Sequence, residues 1–309
     1  MLPFYRILTR KPKVKPSPTW ISCRLIYLLI LVFFFFDKLN SQVRSDSLLI
    51  DNHQRTFHYT FPVLPGSSLV FVLHGSGGSG QEMMKRTPAL FQAAKSEKVV
   101  FVYPDGYKKY WNECRKEASS LANQENIDEN AFFGQMIDYF KQRYQIDSSR
   151  VFSVGTSGGG HMSYKLALTM PQKLTAITAI IANLPDTSNL DCVESRLALP
   201  VMIINGTADP LNRYEGGMME SANFRMGKVR STDQTFSYWA RLGGYTGPPV
   251  MTLVEDTDPT DQKTIERYTY REPNKPEVVL LKVIGGKHDY PNDIDVHLEA
   301  WAFFKRQMR

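Results

Sequence analysis

The chain has 309 residues, of which 42% are hydrophobic and 22% charged, enough for one large domain with a deep core. Its net charge of +6 is local: eight of the 37 basic residues and one of the 31 acids lie within residues 1–44, which leaves 29 and 30 and a net charge of −1 for residues 45–309. A near-neutral folded part gives no charge argument for nucleic acid or an acidic polymer as partner.

Residues 1–24 are basic and precede a twelve-residue apolar run, 25–36 (LIYLLILVFFFF), closed by Asp37. A spanning helix needs roughly 20 apolar residues, so the run suits the core of an export signal. Residues 1–40 are read as a signal peptide or, alternatively, an uncleaved signal anchor, and residues 45–309 as the folded domain. The expected location is secreted or periplasmic; membrane contact, if any, runs through this leader. Cys23 precedes the apolar core, so the pattern is not that of a lipoprotein. Beyond the leader only Cys114 and Cys192 remain. In an oxidising compartment the two can pair, and two unrelated buried thiols stand as the other reading.

Strand and helix patterns then alternate along the chain. Residues 55–61 read as an edge strand and 69–73 (LVFVL) as a buried strand that stops at His74-Gly75. Residues 81–95 carry a helical pattern, and 99–103 (VVFVY) form a buried strand ended by Pro104-Asp105-Gly106. Phe132, Phe133, Met136, Ile137 and Phe140 make a helical stripe over 129–144. A strand at 151–154 leads into a helix at 158–169; strands follow at 176–181 and 201–204, and a helix at 235–242. Residues 250–254 and 265–270 read as an antiparallel pair, 278–284 as the last strand and 294–305 as the last helix. This alternation predicts an α/β fold: a mostly parallel central sheet with helices on both faces. In such sheets ligands bind beyond the carboxyl ends of the strands.

Candidate chemistry falls at those ends. The strand at 151–154 runs into Gly155-Thr156-Ser157-Gly158-Gly159, a G-x-S-x-G pattern placed between strand and helix. A sharp turn there exposes Ser157 and aims the Gly158 N–H at a developing oxyanion. His74-Gly75-Ser76-Gly77-Gly78 follows an earlier strand and supplies the expected second donor, a backbone N–H near Ser76. A phosphate-cradling loop is the rival reading, but the segment matches neither G-K-[ST] nor G-x-G-x-x-G.

A serine hydroxyl needs a base oriented by an acid. Asp209, just past the strand at 201–204, and His288, just past the strand at 278–284, complete the order Ser, Asp, His. His53, His58 and His74 precede the nucleophile; His161 and His297 lie inside predicted helices. Asp128 and Asp186 are alternative acids, Asp128 being better placed as a helix cap. No residue cluster has metal-ligand spacing, and no cofactor is implied. Trp111, Tyr110 and Tyr290 are candidate substrate-pocket residues, as are the Met residues and Phe224 of segment 214–232.

These segments resemble the polyhydroxybutyrate depolymerase-like esterases, a group that includes feruloyl and acetylxylan-type esterases. The matching residues are His74 to Gly78, Tyr103-Pro104-Asp105-Gly106 with Trp111-Asn112, Gly155 to Gly159, Asn205 to Pro210 with Gly216-Gly217, and Gly285 to Pro291. They run in the family's order over about residues 55–305. The resemblance implies an α/β-hydrolase fold, export, and hydrolysis of a small or oligomeric carboxylic ester without a cofactor. It places nucleophile, acid and base at Ser157, Asp209 and His288. Two positions depart from the pattern: Gly158 follows the nucleophile where Asn or Met is common, and Tyr290 stands where Trp is usual. A serine peptidase of the same fold and a non-catalytic binding protein are the two rival functions.

Overall fold

The computed structural model describes residues 42–221 and 224–308; the leader expected at residues 1–40 lies outside the described residues. Ten strands form one sheet. In chain order these are β1 (Gln42–Ile50), β2 (His53–Phe61), β3 (Ser68–Leu73), β4 (Val99–Pro104), β5 (Val151–Thr156), β6 (Ala176–Ile180), β7 (Val201–Gly206), β10 (Val250–Leu253), β11 (Thr264–Tyr270) and β12 (Val278–Ile284). Their order across the sheet is β1-β2-β4-β3-β5-β6-β7-β12-β11-β10. The six central strands, from β4 to β12, are mutually parallel, and the outer pairs on both sides run antiparallel.

The parallel strands are apolar on both faces because helices cover both. Alternation assigns each side chain its layer. Val70, Val72, Phe101, Phe152 and Val154 point to the face covered by helices α1 (Gly80–Arg86), α2 (Pro88–Ser96) and α7 (Val296–Arg306). Leu69, Phe71, Leu73, Val100 and Val102 point the other way, onto Phe132, Phe133, Met136 and Phe140 of α4 (Glu129–Tyr144) and Met162 and Leu166 of α5 (Gly158–Thr169). A third cluster packs Ile177, Ile203, Val201 and Leu280 against Phe236 and Trp239 of α6 (Thr232–Leu242). The short helix α3 (Leu121–Gln124) lies in the long connection before α4.

The structure corrects four sequence expectations. Segment 55–61 is not an edge: β1 lies outside it, in full antiparallel register from Gln42↔Phe61 to Ile50↔His53. β1 was missed because its polar run (QVRSDS) has no apolar face to show. The helix at 81–95 is two helices, broken at Thr87-Pro88, since proline at the first position of α2 has no N–H to continue α1. Segment 214–232, in which no element was expected, contains a hairpin: β8 (Gly217–Ser221) and β9 (Phe224–Val229) pair there as a separate antiparallel unit. Finally, α6 starts three residues earlier than its apolar stripe, at a capping box in which Ser231 and Gln234 satisfy each other's backbone N–H groups. Cys114 and Cys192, left open by the sequence, are joined in a disulfide across 78 residues.

Candidate active site

Ser157 sits at the turn between β5 and α5 with φ +53° and ψ −117°, a conformation unfavourable for any residue with a Cβ. The flanking glycines make the turn possible. A Cβ on Gly155 would strike the carbonyl group of Gly159, and one on Gly159 would strike the Leu73 carbonyl of β3. The Ser157 N–H donates to the Ile180 carbonyl at 2.8 Å, which anchors the turn to β6.

Residues 209 and 288 arrive from β7 and β12, which are neighbours in the sheet. Their loops are fastened together: Ala208 N–H donates to the Gly286 carbonyl (2.9 Å), Thr207 N–H to the Val283 carbonyl (2.9 Å), and Gly285 N–H to Thr207 Oγ1 (2.9 Å). Asp209 is fixed by its own chain, because its Oδ1 accepts the N–H groups of Leu211 and Asn212, both at 2.8 Å. Its Oδ2 accepts the Nδ1–H of His288 at 2.7 Å, and His288 Nε2 accepts the Ser157 hydroxyl at 3.0 Å. The Asp209 side chain is 1% exposed and that of His288 24%. Three side chains as many as 131 positions apart thus form one hydrogen-bonded line, with the serine in reach of a base.

Gly158 is the first residue of α5, so its N–H has no partner within the helix. It faces Ser76: a Cβ on Gly158 would stand 2.5 Å from Ser76 Oγ and 2.9 Å from Ser76 N. Gly158 and the Ser76 backbone therefore lie side by side next to Ser157. The loop bearing Ser76 is braced by His74. Its Nδ1–H donates to the Gly75 carbonyl at 2.7 Å and its Nε2 accepts the Gly106 N–H at 2.9 Å. Burial holds this imidazole below its ordinary pKa, which suits the neutral form that both bonds require. Asp105 ties the same region to α1 by accepting the Gly80 N–H at 2.7 Å. Burial pushes the Asp105 carboxyl up, but its bonds to His58, Thr56 and Gly80 outweigh this and bring it to about 2.

A cavity of about 220 Å³ opens beside Ser157. Trp111 lines it; its indole N–H donates to the His74 carbonyl at 2.9 Å, so it also stiffens the loop. Tyr110 and Phe224, with ring centroids 5.0 Å apart, form another wall, and Met219 and Met226 of the β8–β9 hairpin complete it. Tyr290 does not belong to this lining. It packs against the core on the α7 side, its hydroxyl 2.7 Å from Oγ1 of Thr156, the residue before the nucleophile. Asp128 caps α4 through the Ala131 N–H (2.9 Å) and Asp186 caps a short turn; the carboxylate bonded to His288 is that of Asp209. Glu113 and Arg115 also line the cavity, and nothing in the sequence pattern distinguished them. Among the described residues no group of three His, Cys, Asp or Glu side chains has the arrangement of a metal site.

A model of the phospholipase/carboxylesterase family matches residues 61–236, more than half of the chain. The chain belongs to this esterase family of the α/β-hydrolase fold. Among the family's relatives, a putative esterase, NocK, of Nocardia uniformis subsp. tsuyamanensis is 30% identical over 74% of this chain and 67% of its own length. An acetylxylan esterase of Coprinopsis cinerea is 26% identical over 38% of this chain and 33% of its own length. The acetyl xylan esterase of Aspergillus awamori superposes with a TM-score of 0.59 over 85% of this chain and 99% of its own, at 16% identity, a likeness of fold. The esterase resemblance read from the motifs therefore holds at the level of this family.

Proposed function

We propose that the chain is a serine carboxylic-ester hydrolase in which Ser157 is the nucleophile, His288 the general base and acid, and Asp209 the group that orients His288. The observation that carries this reading is the hydrogen-bonded line Ser157–His288–Asp209, with distances of 3.0 and 2.7 Å. His288 Nε2 takes the hydroxyl proton as Ser157 Oγ attacks the ester carbonyl. The N–H groups of Gly158 and Ser76 hold the oxyanion that forms. His288 then gives the proton to the departing alcohol, leaving an acyl-enzyme. Water, deprotonated by the same imidazole, attacks the acyl carbonyl; the acid leaves and Ser157 regains its proton.

Substrates proposed for this site are small or oligomeric esters that suit the modest cavity: hydroxyalkanoate oligomers, or feruloyl and acetyl esters, the latter two in keeping with the names of relatives, a feruloyl esterase D and acetylxylan esterases. Action outside the cytosol, as a secreted, periplasmic or leader-anchored enzyme, is part of the proposal, supported by the Cys114–Cys192 disulfide. The test is turnover of a 4-nitrophenyl ester together with covalent labelling by a fluorophosphonate probe. Both are expected in the native chain and both are expected to vanish in Ser157→Ala; labelling that persists in that variant refutes the assignment.

A further inference from the structure

The cavity beside Ser157 holds two charged side chains and one imidazole that the triad does not use. Glu113 and Arg115 are each 3% exposed. Glu113 Oε1 accepts Arg115 Nε (2.8 Å) and Nη2 (2.6 Å), and Glu113 Oε2 accepts the Arg115 backbone N–H at 3.1 Å. One edge of the guanidinium is thereby pinned. The remaining Nη1 reaches a thioether, Met219 Sδ, at 3.6 Å, a poor acceptor for a cationic donor. His161, on α5, lines the same cavity and is 4% exposed; it lies near the Asn183 carbonyl, but neither ring nitrogen makes a hydrogen bond of good geometry. Burial first, then the nearby Arg115 charge, keep this imidazole neutral, against the weaker pull of the Asn183 carbonyl. Buried donors without acceptors are rare in folded proteins because each has lost its water.

The cavity's position says which half of an ester it takes. Its walls include Ser157, Gly158 and Ser76, the attacking and oxyanion groups, whereas His288 stands outside the lining. The leaving alcohol must lie against His288, which protonates it, so the space on the other side belongs to the acyl chain. Aromatic and thioether walls suit an apolar chain body; the polar groups at Arg115 and His161 do not.

We propose that this cavity binds the acyl half of the ester and that Arg115, held by Glu113, and His161 select acyl chains bearing a neutral oxygen acceptor over plain alkyl chains of equal length. The proposal rests on the esterase reading and names its acyl class. A neutral ether, hydroxyl or carbonyl oxygen fits better than a carboxylate, because Glu113 already neutralises Arg115.

The test is a ladder of 4-nitrophenyl alkoxyalkanoates, the ether oxygen moved outward one position at a time, each compared with the alkanoate of equal length. Each ratio of kcat/KM is divided by the ratio of hydroxide-catalysed rates, which removes the inductive effect of the oxygen. The native chain is expected to favour the oxygen-bearing ester by about 10-fold or more at one position of the ladder, the size of one hydrogen bond to a charged donor. Because Arg115→Met alone strands the Glu113 carboxylate, the informative variant is Glu113→Gln/Arg115→Met, in which the ratio is expected to fall towards one; His161→Leu is expected to lower it as well. Ratios near one at every position in the native chain overturn the proposal, and so does a preference that survives the double replacement. Absence of turnover for every ester, with no fluorophosphonate labelling of Ser157, overturns the esterase reading beneath it and is thus distinguishable.

Discussion

The rim that carries Ser157, Asp209 and His288 and the cavity beside it are built in opposite ways. The rim uses short loops at the ends of the parallel strands β5, β7 and β12, fastened by backbone hydrogen bonds such as Ala208 to Gly286 and Ser157 to Ile180. The cavity uses side chains from two long excursions, residues 110–123 and the β8–β9 hairpin, held to the body by a disulfide at Cys114 and by contacts such as Arg225 N–H to Ser119 Oγ at 3.1 Å. Backbone fixes the first and side chains fix the second. Damage to the rim should therefore appear in kcat for every ester, and damage to the cavity in selectivity and stability.

The sharpest break in that comparison is Ser157→Ala, expected to lower kcat by about 10⁵–10⁶-fold on any ester without moving the melting temperature downward. Alanine keeps the Cβ and with it the same backbone conformation at the turn, so circular dichroism should be unchanged. Asp209→Asn comes next, at about 10⁴-fold. The two N–H groups of Leu211 and Asn212 will claim the amide oxygen, as they now claim Oδ1, and this turns the NH₂ towards His288 Nδ1. An imidazole facing a donor there must carry its proton on Nε2, where it cannot accept one from Ser157. A much lower kcat with KM close to the native value is the expected signature. Gly158→Ala is smaller, about 10²–10³-fold in kcat, because the new methyl enters the gap beside Ser76 that the oxyanion needs. Fluorophosphonate labelling should slow with it while the fold survives.

How much of each region the sequence showed follows the same division. Ser157, Asp209 and His288 were legible because each lies within a few residues of a strand end, so a local pattern plus chain order was sufficient. Ser76 and Gly158 were legible for the same reason, and their face-to-face approach agrees with the glycine that replaces a larger residue at 158. Arg115, Glu113 and His161 were not, since their meeting depends on where a 24-residue connection folds back, which no periodicity records. Tyr290 was misread for a related reason: it lies two residues from His288, yet it packs against Thr156 and His297. The hairpin at β8–β9 escaped notice because glycine and methionine give no strand alternation.

On the cavity side, replacing both Cys114 and Cys192 by Ala is expected to cost about 2–4 kcal/mol in urea unfolding, the usual size for a bridge closing a long loop. Short acetyl esters, which do not reach the excursion, should be turned over at close to the native rate. KM for longer acyl chains should rise, since the neighbouring residues Glu113 and Arg115 lose their anchor. Equal effects on short and long chains would erase the distinction between rim and cavity.

The last effect expected concerns acid stability rather than turnover, and it arises from buried imidazoles. His297 on α7 is 4% exposed, and burial pushes its pKa down from 6.5 to about 4. In the unfolded chain it titrates near 6.5, so between pH 6.5 and 4 the unfolded state binds a proton that the native state refuses. Stability must then fall as pH falls across that window, by roughly 3 kcal/mol if the full shift applies, and remain flat above it. His74 and His161, also lowered by burial, add slope of the same sign. His297→Phe, which fills a similar volume against Tyr290 without a titrating nitrogen, should flatten part of the decline and leave kcat at pH 8 unaltered. A variant whose melting temperature still falls as steeply from pH 7 to 5 would assign that slope to the two histidines nearer the site, and acid inactivation would then begin at the rim.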